Sequence, residues 1–308
     1  MPPSLKPGDR IAIISPASIV KEEYVAGAAV TLKDRGYLPI IMPHAVGHGK
    51  GSYSASLEGR LKDLQDAISD TSVKAILCAR GGYGCVHLLP FLSSAIIREN
   101  PKWIIGFSDV SARLACWYMN GLGSVHGPMA KHLTNMPQDD PCTNSLFNIL
   151  ENEGHFDYQF PASQHNNQGN TSGRLRGGNM AVLNGLASTP YDIIDVGKEE
   201  DDVILFLEDI SEPIYAIERM LWRLYLSGTM SRVKGMIFGQ FTEYQPDKNF
   251  DKMEGMIKDW LQKINSPDIP VVFDFPVGHA DCNYPLTVGA KVNLEVAADS
   301  VRLHTVKE

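Results

Sequence analysis

The chain has 308 residues, 44% of them hydrophobic, and a formal net charge of -8. That length exceeds one ordinary domain of about 100 to 200 residues, and the apolar content suffices for two cores. The acidic balance argues against nucleic acid and against an anionic membrane surface, both of which need basic patches, and leaves small molecules or peptides as partners.

In chain order, Arg10 to Ser15 reads as a buried strand ending in the turn Ser15-Pro16-Ala17-Ser18. Lys21 to Arg35 follows as a helix closed by Gly36, and Leu38 to Met42 as a second strand. A Gly-, His- and Ser-rich loop, His44 to Ser54, leads to a helix in which Leu57, Leu61, Leu64 and Ile68 recur at helical spacing. Lys74 to Cys78 is a third strand, followed at once by Arg80-Gly81-Gly82-Tyr83-Gly84. Glycines at a strand end let backbone N–H groups point outward, which suits a phosphate or an oxyanion, although neither the GxGxxG nor the GxxxxGK[ST] spacing is present.

The fourth strand, Trp103 to Ile105, stops at Gly106, and Ser108 follows ahead of a polar, helix-compatible segment from Ser111 to Asn120. Strand followed by helix is the βα step of a parallel sheet, whose carboxyl edge is where ligands bind. Two readings of Ser108 are open here, a nucleophile lifted on a tight turn or a helix N-cap. Ser124 to Pro128 is a short fifth strand and turn, with His126 either facing a site or buried and satisfied.

Between Glu153 and Ser172 the composition turns to Asn, Gln, His and Gly, which marks a boundary. We therefore expect domains at 1–152 and 174–308 joined by a linker at 153–173. Beyond it, Met180 to Leu186 is a short helix and Val203 to Leu207 a strand ending at Glu208-Asp209. Ile214 to Leu226 is a helix, Gly235 to Phe238 a strand, Met253 to Ile264 a helix, and Val271 to Phe273 a strand leading to Gly278-His279. The tail is a hairpin, Lys291 to Val296 and Val301 to Thr305, around Ala298-Asp299.

Cys78, Cys85, Cys116, Cys142 and Cys282 are odd in number and lack CxxC spacing, so a disulfide framework and a zinc site are both unsupported. We expect reduced thiols, no metal and no cofactor. The first residues hold no apolar signal core and no stretch reaches membrane-spanning length, so the expectation is a cytoplasmic protein that does not engage a membrane.

Ser108, Glu208 and His279 each follow a short apolar strand and a turn. A serine hydroxyl becomes nucleophilic when a neutral imidazole takes its proton, and a carboxylate fixes that imidazole's tautomer. The order serine, acid, histidine is that of α/β-hydrolases, but Val110 stands where the GxSxG elbow has its second glycine. From spacing alone, Glu208 as a solvated carboxylate and Gly278-His279 as a turn remain open.

Gly8 to Ser18, Arg80 to Gly84, Gly106-Phe107-Ser108-Asp109, Gly177-Gly178-Asn179, Leu207-Glu208-Asp209 and Gly278-His279 together resemble the LD-carboxypeptidase family of serine peptidases. That family includes muramoyltetrapeptide carboxypeptidases and the related microcin-immunity peptidases, and the likeness runs from residue 8 to about 296. The resemblance implies an α/β protein, with a flavodoxin-like parallel-sheet N-terminal domain and a C-terminal domain of swivelling β/β/α type. It implies Ser108 as nucleophile, Glu208 as acid, His279 as base, and the N–H groups of Asp109 and Gly82 as oxyanion donors. It further implies hydrolysis of the amide before a C-terminal D-amino acid in a murein tetrapeptide or muropeptide, and a homodimer.

On this reading Ser108 occupies a sparsely populated backbone region, and Glu208 lies within hydrogen-bond reach of His279. Arg80, Arg174, Arg176 and Arg232 are candidates, by type, for gripping the substrate carboxylate. The alternatives are a microcin-immunity type peptidase cleaving aminoacyl-nucleotides, which needs an aromatic loop for a base, and a non-catalytic ligand-binding module. Phe156, Tyr158 and Phe160 are the aromatic residues available for such a loop.

Overall fold

The computed structural model describes residues 1–47, 51–194, 202–264 and 269–307. Part of the glycine-rich loop expected at His44 to Ser54, residues 48–50, lies outside them. The chain divides into two units, Met1–Gly154 with Asn283–Val288, and His155–Cys282 with Gly289–Glu308.

The first unit runs β1 (Arg10–Ile14), α1 (Glu22–Asp34), β2 (Leu38–Ile41), α2 (Leu57–Ser69), β3 (Val73–Cys78), α3 (Ser94–Glu99), β4 (Trp103–Gly106), α4 (Ser111–Met119), β5 (Ser124–His126), α5 (Ala130–Asn135) and α6 (Pro141–Glu151). Its strands pair in parallel in the order β5-β4-β3-β1-β2, the flavodoxin-like arrangement. The apolar runs that announced these strands are those of a sheet covered on both faces: Ile11, Ala12 and Ile13 in β1 and Trp103 and Ile104 in β4 are completely buried. Helix α4 departs from its polar reading, since every residue from Ser111 to Trp117 is buried, the cationic Arg113 included.

The second unit runs β6 (Asp157–Pro161), β7 (Gly169–Asn179), α7 (Met180–Gly185), β8 (Val203–Ile210), α8 (Ile214–Leu226), β9 (Val233–Thr242), α9 (Met253–Lys263) and β10 (Val271–Val272). The chain next contributes β11 (Leu286–Val288) antiparallel to β5 in the first sheet, then returns as β12 (Lys291–Val296) and β13 (Ser300–Thr305). The second sheet is mixed, in the order β10-β9-β8-β7-β12-β13-β6, with parallel pairing from β7 to β10 and antiparallel pairing in the tail hairpin. Residues 153–173, expected as a linker, hold β6 and the start of β7. Their polar composition reflects an edge strand and its turn: β6 alternates exposed and buried positions, and the Asn166 side chain accepts the Phe273 N–H at 2.8 Å. Among the described residues no helix is long and apolar enough to cross a membrane.

Candidate active site

In the first unit, β4 ends at Gly106 and the chain turns through Ser108 into α4. Ser108 has φ +63, a left-handed conformation rare for a residue with a Cβ, and it is the first residue of a short 3₁₀ turn, with Phe107 at that turn's N-cap and Val110 at the N-cap of α4. The strained backbone is the feature expected of a nucleophile turn and differs from the N-cap alternative. The turn after β3 comes up against it. A Cβ built on Gly81 would lie 3.0 Å from the Ser108 Cβ and 3.2 Å from the Asp109 nitrogen, so a side chain there would press on the Ser108 turn beside the Asp109 N–H.

The glycine turn is pinned from several sides within this unit. Ser18 donates its N–H to Gly81 C=O at 3.1 Å, and its Oγ accepts the Tyr83 N–H, also at 3.1 Å. Arg60, buried and stacked on the Tyr53 ring, donates to the carbonyls of Pro16 at 2.8 Å and Gly84 at 3.0 Å. Asp109 is buried, and loss of solvation pushes its carboxyl above the usual range despite the N–H it receives from Cys85 at 2.8 Å. His126 is fully buried in β5 beside the Phe107 ring, at 5.8 Å between centroids, which is the packed alternative for that residue.

In the second unit Glu208 stands in β8 opposite Asn179 of β7 and is completely buried. Its Oε2 lies 2.7 Å from His279 Nδ1, although the two residues are 71 positions apart. Gly278 permits this approach: its φ is +117, and a Cβ there would come within 2.8 Å of the Glu208 Cβ. A carboxylate bonded to Nδ1 holds the proton there and leaves Nε2 as the basic nitrogen. Neighbouring Asp209 points elsewhere, accepting the Ala181 N–H at 2.7 Å and a 3.3 Å bond from Asn179 Nδ2 at the start of α7. Burial, with the Glu208 carboxylate beside it, raises Asp209 to about 7.

Residues 11–127 match the model of the LD-carboxypeptidase N-terminal domain and residues 172–294 that of the LD-carboxypeptidase C-terminal domain. A probable murein peptide carboxypeptidase of Bacillus subtilis is 30% identical over 96% of this chain and 92% of its own length. The chain belongs to the LD-carboxypeptidase family. As a member it is a peptidase, a hydrolase of amide bonds. The crystal structure of muramoyltetrapeptide carboxypeptidase from Oxalobacter formigenes superposes with a TM-score of 0.83 at 28% identity, covering 97% of this chain and 99% of that one. The microcin C7 self-immunity protein MccF shares the fold, with a TM-score of 0.86 at 22% identity over 99% of this chain and 98% of that one.

Reading for catalytic types picks out Ser108, Glu208, His279 and the glycine turn but passes over side chains that hold that turn and its neighbour, namely Arg60 and Arg113. Arg113 carried a signal, a lone cation four residues after Asp109 in a stretch otherwise small or apolar. Of the arginines offered for a carboxylate, Arg176 is buried in β7, Arg174 donates to Gly289 C=O at 2.9 Å, and exposed Arg80 donates to Ile19 C=O at 2.6 Å. Phe156 and Tyr158 are buried and stacked on each other at 4.9 Å, so these two rings belong to the core of their unit, while half-buried Phe160 packs edge-on against Phe275.

Proposed function

We propose that the protein is a serine-type LD-carboxypeptidase that hydrolyses the amide before a C-terminal D-amino acid of murein tetrapeptides. The observation that carries this reading is the 2.7 Å bond from wholly buried Glu208 to His279 Nδ1, which prepares a general base. Ser108 at φ +63 supplies the matching nucleophile turn.

In this reading His279 takes the proton from Ser108 Oγ as that oxygen attacks the amide carbonyl. The N–H groups of Asp109 and Gly82 stabilise the developing oxyanion, and His279 then protonates the leaving D-amino acid nitrogen. Water, activated by the same imidazole, releases the shortened peptide and restores Ser108. The printed names of the Bacillus and Oxalobacter relatives support a murein peptide as substrate. Inverting the terminal residue would swing its carboxylate or methyl away from its partners, at a cost of about 1 to 3 kcal/mol for each polar group left unpaired. The proposal includes a cytoplasmic homodimer. Four of the five cysteines are buried, which fits the thiols of a reducing compartment, and exposed Tyr215, Tyr225 and Leu226 on α8 offer apolar surface for association.

The test is a panel of tetrapeptides ending in D-Ala and in L-Ala with an aminoacyl sulfamoyl adenylate, read by mass spectrometry for the native protein and Ser108→Ala. Release of D-Ala that disappears in Ser108→Ala supports the reading. Cleavage of the adenylate alone moves the protein to the microcin-immunity reading, and no turnover with any substrate supports a binding module.

A further inference from the structure

The two N–H groups assigned to the oxyanion belong to different loops, Gly82 after β3 and Asp109 after β4, so local chain geometry does not fix their separation. The side chains that bridge these loops come from the nucleophile's own turn and helix. Asp109 Oδ2 accepts the Cys85 N–H at 2.8 Å, and Arg113, one helical turn further on, donates from Nη2 to the Cys85 C=O. Both backbone polar groups of Cys85, three positions beyond Gly82, are thus gripped by side chains four residues apart, one in the 3₁₀ turn and one in the first turn of α4.

The grip is made under unfavourable conditions. Asp109 is 4% exposed and Arg113 0%, and Nε and Nη1 of Arg113 have no hydrogen-bond partner among the described residues. A loop that only needed covering would be held as well by apolar side chains of similar volume, which avoid the desolvation of two ionisable groups. What charged groups add is short, directional hydrogen bonding, which fixes position and orientation rather than mere proximity. We propose that Asp109 and Arg113 are positioning residues that set the spacing of the oxyanion donors by clamping the Cys85 peptide to the Ser108 turn. The proposal rests on Ser108 being the nucleophile. It gives the Asp109 side chain a role separate from that of its backbone N–H.

The experiment measures kcat and KM on a D-Ala tetrapeptide and the rate at which a serine-reactive phosphonate labels Ser108, each per folded molecule. Asp109→Ala is expected to lower kcat and the labelling rate together by about 30- to 100-fold while KM stays within about threefold, as misplaced groups act on the transition state. Asp109→Asn retains an acceptor oxygen and should recover most of that loss. Arg113→Met, which removes the carbonyl grip and the buried charge together, should lower kcat by about tenfold, and it carries the test if Asp109→Ala does not fold. Folded Asp109→Ala, or Arg113→Met in its place, with kcat and labelling within about threefold of the parent overturns the clamp. So does a loss that raises KM alone, or an Asp109→Asn variant no better than Asp109→Ala. Full activity in Ser108→Ala would instead overturn the underlying reading, whatever the clamp variants do.

Discussion

In the proposed mechanism the two units would prepare their shares of the chemistry by different means. The first would present backbone groups, a left-handed Ser108 and a glycine turn drawn up against it, with side chains such as Arg60 and Asp109 holding the loops that carry them. The second uses side chains: a carboxylate sealed into β8 and an imidazole laid on it across a glycine. The contrast follows from what each group must do. An oxyanion develops only as the reaction proceeds and is met best by dipoles already in place, whereas a base must return to the same neutral tautomer after each proton transfer and needs a permanent partner.

This comparison can be broken most sharply at its centres. Ser108→Ala and Glu208→Gln should each lower kcat/KM by at least about 10⁴-fold, the second because an amide can hold the wrong tautomer, with thermal unfolding little changed. Activity of Glu208→Gln within a few-fold of the parent would remove the carboxylate from the mechanism. Next in size is Gly81→Ala, whose methyl would meet Ser108 and the Asp109 nitrogen. It is expected to cost about 100- to 1,000-fold in kcat, the loss of one oxyanion donor, with substrate affinity retained. The matching change in the second unit, Gly278→Ala, pushes against Glu208 from a positive φ. It should reduce kcat by about 10- to 100-fold and also lower stability by about 1 to 3 kcal/mol, seen in denaturant titration.

The smallest effect concerns pH. Asp209 has its pKa raised from 3.8 to about 7 by burial and by Glu208. The stability this carries is complete below the unfolded value near 4 and is lost as pH rises through about 7. Asp209→Asn does not titrate, so the native protein's stability relative to that variant should fall between pH 5 and pH 8 by about 1 to 3 kcal/mol, measured by urea unfolding. Equal pH profiles for the two proteins would show that Asp209 is ionised in the fold across this range.

Much of this arrangement was legible in the chain itself. Continuous apolar runs such as Ile11 to Ile14 and Ile104-Ile105 declare strands covered on both faces, and helical periodicity declares α2 and α8, because burial of one face is a local property of spacing. Helix α6 was equally legible and is absent from the sequence reading, although Asp140 caps it and Pro141 occupies its first turn. Strands β6 and β11 were not legible. Strand β6 buries few of its residues, whereas β11 is buried but only three residues long and takes its identity from pairing with β5, some 160 positions earlier.

At the candidate site, sequence determined which residue types are available and in what order: a serine after a glycine-ended strand, a carboxylate at the end of another, a histidine after a glycine. Tertiary structure decided the left-handed backbone of Ser108, the approach of Glu208 to His279, and the burial of Arg113 and Asp109 around the Cys85 peptide. The physical reason is that hydrophobic patterning is written over neighbouring positions, whereas strain, tautomer choice and buried charge depend on groups that become neighbours only when the chain is folded.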